Sequence, residues 1–326
     1  MNNRRRLVIA LGAGALAAPL ASFAQKPPAR IAWLGAGTPS GSAFAIDAFK
    51  EGLRDNGLIE GKNYVLDALW AEGKYERFPA FVKELLERKP DVIMASTIAA
   101  AQAAQQATKT IPIVIMSFND PVGVGLIASL ARPGGNTTGT ANLSEDLTPK
   151  LMEFLRAAVP QAKQVAVLLN PGNPAHAKML TSARAAADAM GIALQPVEVK
   201  TPDGLDAAFA ALGRQRLAAV LILPDFMLMD SRDRVSALAL KYRLPTIASQ
   251  PEYADAGAMM SYGAPRRAIY RHTAIYVKKI LNGARPADLP VEQPTRIELW
   301  VNVRTAKALG IKIPQSILVR ADKVIE

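Results

Sequence analysis

The feature that most limits the fold is an alternation that runs twice along the chain. From Arg30 onward, short runs that are apolar or β-branched throughout (RIAWLG at 30–35, NYVLDALW at 63–70, DVIMAS at 91–96, IPIVIMSF at 111–118) are separated by segments of helical spacing at 44–56, 77–89 and 98–108. In the second of these segments Phe78, Phe81, Val82, Leu85 and Leu86 fall on one helical stripe. Strands that are apolar on both faces and separated by helices predict a parallel sheet covered on both sides. After GGNTTGTANL the pattern restarts. QVAVLLN, ALQPVEV, AAVLILPD and LPTIAS read as strands, and 175–190, 205–214 and 228–242 as helices. The remainder gives one more strand in GAMMSYG, a long helix in RRAIYRHTAIYVKKILNG and a last strand in RIELWVN. Two similar α/β lobes with parallel sheets follow, with the leftover elements completing both sheets. Crossings near Asn142, Met260 and Val291 would then form a three-segment hinge. The predicted division is 26–142 plus 262–290 for one lobe, and 143–261 plus 291–326 for the other.

Residues 1–25 read differently. A basic start (MNNRRR), an apolar stretch at 7–20 and SFA ending at Ala24 have the form of a secretory signal peptide, cleaved near Ala24. The apolar segment is shorter than the roughly 20 residues that span a bilayer, and no later stretch is as long without a charge or turn residue. The mature chain is therefore expected to lack a membrane span. Arg4–Arg6 before Leu7 fits the twin-arginine route as well as the general one. With no cysteine among 326 residues there is neither a lipid-attachment site nor a disulfide framework. A freely diffusing periplasmic monomer is expected. Without the three leader arginines the net charge falls from +11 to +8. That charge is spread along the chain, as on a solvated surface, and nucleic acid is not expected as a partner.

The glycine-rich stretch IAWLGAGTPSGSAF (31–44) tests a cofactor site. A dinucleotide finger needs G-x-G-x-x-G and an acid about 20 residues on. Here Gly35 and Gly37 are followed by Gly41, one position late, and the first acid past the second strand is Glu72. GLIEGKN (57–63) misses the P-loop, because three residues separate its glycines and Asn63 stands where Ser or Thr belongs. No G-x-S-x-G or H-E-x-x-H occurs. The two histidines, His176 and His272, read as structural, and Glu145 and Asp146 as helix-start acids. No catalytic residue, cofactor or metal is predicted.

What recurs is a small polar loop at the carboxyl end of each strand, where parallel sheets place their ligands. These loops are GAGTPSGS (35–42), STIA (96–99), SFNDP (117–121), NPGNP (170–174), PDFM (224–227), SQPEY (249–253) and SYGAP (261–265). Most open a helix whose unpaired N–H groups suit an anion. The candidate ligand-binding residues are Gly37, Thr38 and Ser40 in the first loop, then Ser96 and Thr97 for an anionic group. Asn119, Asn170 and Asn173 add hydrogen-bonding groups. Asp120 and Asp225 are candidates for an ammonium group, while Phe118, Phe226, Tyr253 and Tyr262 offer ring faces or a phenolic donor. Each has a plainer reading as a helix cap, a turn residue or packing; it is their convergence from two lobes that makes a closing cleft.

DPVGVGLIASLARPGGNTTG (120–139), NPGNPA (170–175), MMSYG (259–263), YVKKILNGARPADLPVEQPT (276–295) and NVRTAKALGIKIPQSILVRADKVIE (302–326) closely resemble the ABC-transporter substrate-binding proteins. The likeness is to the group that includes the tryptophan- and tyrosine-binding TrpX-like proteins, and runs from about Arg30 to the end. It implies the type I periplasmic-binding-protein fold, two Rossmann-like lobes around a hinge, delivery of a small solute to an inner-membrane ABC permease, and no cofactor. Thr97, Asn119, Asp120, Asn170, Asp225 and Tyr262 carry over as positions in matching motifs. The implied solute is an amino acid, aromatic ones included, or another organic acid. A sensory receptor feeding a membrane kinase uses the same fold. A periplasmic enzyme is the other alternative, against which the scarcity of histidine counts.

Overall fold

The structure, a computed structural model, describes residues 27–142, 144–215 and 217–326; the expected leader lies outside the described residues. Five strands, β1 (Ala29–Gly35), β2 (Tyr64–Trp70), β3 (Val92–Ala95), β4 (Ile113–Phe118) and β5 (Thr137–Ala141), form a wholly parallel sheet in the order β2-β1-β3-β4-β5. Successive strand residues point to opposite faces, and here both faces are apolar. Ile31, Trp33, Val92, Met94, Val114 and Met116 meet helix α1 (Ala43–Asp55) on one side. Ala32, Leu34, Ile93, Ala95, Ile113 and Ile115 meet α2 (Phe78–Glu87) and α3 (Ile98–Ala107) on the other.

The second lobe begins at α4 (Ser144–Ala158) and holds β6 (Gln164–Leu169), α5 (Ala175–Ala189), β7 (Ala193–Glu198), α6 (Gly204–Arg214) and β8 (Ala219–Ile222). The chain continues through α7 (Phe226–Asp230), α8 (Arg232–Lys241), β9 (Thr246–Ala248), α9 (Glu252–Asp255) and β10 (Met260–Gly263). It then returns to the first lobe as the long α10 (Arg266–Leu281), which packs along α1. Gly52 permits this close approach, since a Cβ there would sit 2.1 Å from the Arg271 carbonyl oxygen. Tyr270, Ala274 and Val277 of α10 complete the apolar layer over the first sheet. The chain ends in the second lobe with β11 (Glu298–Asn302), α11 (Val303–Leu309), α12 (Gln315–Leu318) and β12 (Lys323–Ile325), giving the order β12-β11-β10-β9-β8-β6-β7.

Several expectations need correction. The second crossing falls after Gly263, so Tyr262 belongs to the second sheet, paired with Leu299. The third comes after Glu292, because Val291 and Glu292 are still hydrogen-bonded to the first lobe through Leu130, Gly139 and Ala141. The second sheet is not purely parallel: β11 returns from the far lobe and pairs antiparallel with β10. The boundary segment GGNTTGTANL contains β5, whose threonines gave no apolar signal. Their hydroxyls are satisfied internally: Gln105 donates to Thr137, Thr138 donates to the Leu289 carbonyl, and Thr140 pairs with Thr273. The helix expected over 228–242 is two helices, α7 and α8, broken at Ser231.

Candidate functional site

The carboxyl ends of the two sheets face each other across a cleft lined by residues of both lobes. On the first-lobe wall, Thr97 caps α3, its Oγ1 accepting from the Ala100 N–H at 3.2 Å, and the first turn of α3 lines the cleft. Ser96 Oγ accepts from the Ala36 N–H (3.0 Å), which ties the ends of β3 and β1 together. The end of β4 is locked into an unusual backbone. Ser117 takes a φ of 62° while its N–H donates to Thr140 and its carbonyl accepts from Asn142. This directs Phe118 and Asn119 to the cleft. Asn119 Nδ2 reaches Met179 Sδ of the second lobe at 3.4 Å, whereas its Oδ1 is buried without a partner among the described residues.

On the second-lobe wall, Asp225 is almost fully engaged. Its carboxylate caps α7 by accepting from the Met227 and Leu228 N–H groups (2.9 and 3.2 Å), and accepts from Asn170 Nδ2 (3.3 Å) and Asn173 Nδ2 (3.1 Å). His176 fastens the same two loops: its Nδ1 stands 3.0 Å from both the N–H and the carbonyl oxygen of Asn170, and its Nε2 donates to the Pro224 carbonyl (3.1 Å). Burial lowers its pKa, against a raising by the Pro224 and Asn170 backbone and by Asp225. Ser249 Oγ and Gln250 Oε1 line the cleft with no partner among the described residues.

Helix α10 supplies the remaining wall through Arg266, Ile269 and Tyr270. The Arg266 guanidinium donates to Tyr270 Oη (2.6 Å) and lies over the rings of Tyr270 and Phe226, 5.3 and 5.5 Å from their centroids. Its backbone N–H donates to Glu252 Oε1 (3.0 Å).

Contacts bind one wall to the other. Lys178 Nζ pairs with Asp120 Oδ2 at 2.7 Å, and Phe226 packs on the first lobe's core. The glycine-rich loop does close on a carboxylate, but one from its own chain: Asp230 of the second lobe sits where a Cβ on Gly37 or Gly41 would lie, 2.1 and 2.6 Å away. Burial pushes the Asp230 carboxyl up, against a lowering by Arg266.

Of the residues selected from the sequence, the structure brings Ser96, Thr97, Phe118, Asn119, Asn173, Asp225 and Phe226 into the cleft. Asn170 stands behind Asp225. Gly37, Thr38 and Ser40 lie outside the lining, in the loop around Asp230, with Thr38 Oγ1 accepting from the Gly41 N–H. Asp120 is on the outer rim, where Lys178 and the Gly123 N–H hold its carboxyl below the usual range. Tyr253 is fully buried in the second lobe's core, and Tyr262 packs edge-on against Phe154 at 5.0 Å. Sequence reasoning missed Tyr75, Ser249, Gln250, Arg266 and Tyr270. Arg266 had one legible signal: a cation in the first turn of a helix opposes the macrodipole. Among the described residues, no group of three His, Cys, Asp or Glu side chains is placed to hold a metal, and no helix is long and apolar enough to cross a membrane.

The sequence profile described as ABC transporter substrate binding protein matches residues 40–325. The chain belongs to this family. A tyrosine-binding protein of Clostridioides difficile (strain R20291) is 28% identical to this substrate-binding protein over 269 residues, 82% of this chain and 77% of the relative. A domain from Streptococcus pneumoniae in complex with L-Trp superposes with a TM-score of 0.82 at 23% identity, covering 91% of this chain and 100% of that one. A ligand-free, open substrate-binding protein with adhesive properties from Clostridium difficile superposes with a TM-score of 0.64 at 26% identity, covering 91% and 99%. The fold is thus that of the type I periplasmic binding proteins, two α/β lobes with their sheets' carboxyl ends across a cleft.

Proposed function

We propose that the chain is the periplasmic receptor of an ABC importer, and that its lobes close as a hinge over an amino acid with an aromatic side chain, which it releases unchanged to an inner-membrane permease. One observation carries this reading: three buried polar atoms without partners among the described residues converge on the cleft from both lobes, Asn119 Oδ1 from one and Ser249 Oγ and Gln250 Oε1 from the other. Each such atom costs about 1–3 kcal/mol unless a partner is supplied. A solute that bonds atoms on both lobes favours the arrangement in which they are together, so binding and closure are one equilibrium. These acceptors suit an ammonium group, the first turn of α3 suits an anion, and Tyr75, Phe118, Phe226 and Tyr270 offer ring faces to a flat side chain.

Two likenesses support the reading. The C. difficile relative is a tyrosine-binding protein. The lobe arrangement matches the L-Trp complex better than the ligand-free open structure, although the open one has the higher identity. Micromolar affinity corresponds to about 8 kcal/mol, within reach of a few charge-assisted bonds plus apolar burial. The export leader read in residues 1–25 supports the periplasmic location, and the three crossings between lobes supply the hinge.

The test is a thermal-shift screen of the purified protein against the amino acids, aromatic acids and other organic acids, since a ligand of the folded state raises its melting temperature. Aromatic amino acids are expected to give the largest shifts. A response confined to sugars or polyols would overturn the assignment. Uptake of the same solute by vesicles carrying the permease, dependent on added receptor, tests the transport role.

A further inference from the structure

We infer that Arg266 is the carboxylate receptor of the cleft, so that the chain selects solutes carrying a carboxylate at the end that faces α10. This rests on reading the cleft as a solute site and goes further by naming the group that sets its specificity.

The guanidinium carries five N–H donors. Among the described residues only Tyr270 Oη accepts from it, and no carboxylate stands within ion-pair distance. Its position is unfavourable three times over. It is desolvated, although Tyr270, Glu252 and Asp230 outweigh that and keep its pKa raised; it sits in the first turn of a helix whose dipole repels a cation; and most of its donors have no hydrogen-bond partner among the described residues. Packing alone does not account for it, because an apolar side chain of similar length between Phe226 and Tyr270 would fill the space without these costs.

The nearby acids do not remove the need for a partner. Glu252 spends Oε1 on the Arg266 backbone N–H while its Oε2 is buried without a hydrogen-bond partner among the described residues, out of ion-pair reach of the guanidinium, and Asp230 is held in the loop of Gly37 and Gly41. Both stabilise the guanidinium at a distance, and burial raises the pKa of both. The geometry suits a planar, doubly accepting anion. A carboxylate meets the guanidinium fork through two parallel bonds. The flanking rings hold the fork's plane, and the acceptors Asn119 Oδ1, Ser249 Oγ and Gln250 Oε1 are left for the ammonium end. Because α10 belongs to the first lobe while Phe226 and Glu252 belong to the second, this receptor is assembled only when the lobes meet.

The experiment is calorimetric titration of the full chain with L-tyrosine, L-tryptophan and their amides, accompanied by a thermal-shift panel of other amino acids and organic carboxylates. The wild type is expected to bind an acid ~100-fold more tightly than its amide. Arg266→Gln is expected to lose ~100-fold for the acid and to abolish most of the acid-over-amide preference, with Arg266→Lys between them. Circular dichroism and urea midpoints check folding. If Arg266→Gln does not fold, the acid-against-amide comparison on the wild type decides alone. Equal binding of acid and amide by the wild type, or a preference that survives in a folded Arg266→Gln, overturns the inference. Binding of a carboxylate that is not an amino acid, with the same Arg266 dependence, upholds the inference and overturns the amino-acid reading. Response only to uncharged or cationic solutes overturns the inference and leaves the receptor reading standing; no response across the panel overturns both.

Discussion

Two sets of strand-end loops around the cleft use similar residues in opposite ways. After β6 and β8, Asn170, Asn173, His176 and Asp225 bond one another and the adjoining backbone until little capacity is left over. At the end of β4, after β9 and at the start of α10, Asn119 Oδ1, Ser249 Oγ and Gln250 Oε1 have no partner among the described residues, and Arg266 makes one side-chain hydrogen bond there. The lesson is that a polar residue at a strand end declares a bond, not its owner. Asp225 lines the cleft yet serves chiefly to hold two loops together, whereas the groups with bonds still to make are those a solute can claim.

The largest test of this contrast is Asp225→Ala. It removes the cap of α7 and leaves the amides of Asn170 and Asn173 buried without their acceptor. A loss of about 3–5 kcal/mol in urea unfolding is expected. A change under 1 kcal/mol would mean that the second wall is not held as described.

Next, Gly37→Ala places a methyl group against the Asp230 carboxylate without touching either lobe's core. About 1–2 kcal/mol of overpacking set against the closed arrangement predicts an affinity lower by about 10-fold. The urea midpoint should stay unchanged. An unchanged affinity would deny that the glycine loop closes on the second lobe.

The burial of His176 gives a pH test of the loops it fastens. Its pKa is lowered on folding, so below its ordinary value of about 6.5 the unfolded chain binds a proton the folded chain refuses. Stability is therefore flat above that value and falls as pH drops toward the folded pKa, by at most about 1.4 kcal/mol per pH unit. Asp230 and Glu252 act in the opposite sense. Their raised pKa values make the folded chain hold protons longer, which adds stability at low pH that is lost as pH rises through their folded values. His176→Gln should remove the first slope and leave the second, as urea midpoints across pH 4.5–7.5 would reveal. A wild-type slope retained in the variant would assign it elsewhere.

The smallest effect belongs to the rim. Lys178 and Asp120 are substantially exposed, and pairs of that kind contribute less than about 1 kcal/mol. Lys178→Ala should weaken binding by no more than about five-fold, with a larger difference at low salt than at high salt.

Much of the fold was legible because its strands are apolar on both faces: β1, β3, β4, β6 and β8 announce a covered parallel sheet without further help. β5 escaped because its burial is carried by threonine hydroxyls with internal partners. The antiparallel β11 escaped because its neighbour is chosen by the path between lobes rather than by its own pattern. In the cleft, Ser96, Thr97, Asn119 and Asn173 were reachable from the rule that ligands lie at strand carboxyl ends. Asp120 and Asp225 were indistinguishable by that rule, since only the tertiary arrangement puts one beside Lys178 and the other beneath Asn170. Tyr253 and Tyr262 were misled by position alone. Arg266 lay outside the rule, on a helix from the opposite lobe.

Small-angle X-ray scattering of the purified protein titrated with L-tyrosine tests closure over an aromatic amino acid most directly. The account predicts a radius of gyration that falls and saturates at one ligand per chain. A scattering profile unchanged at saturating L-tyrosine would contradict it.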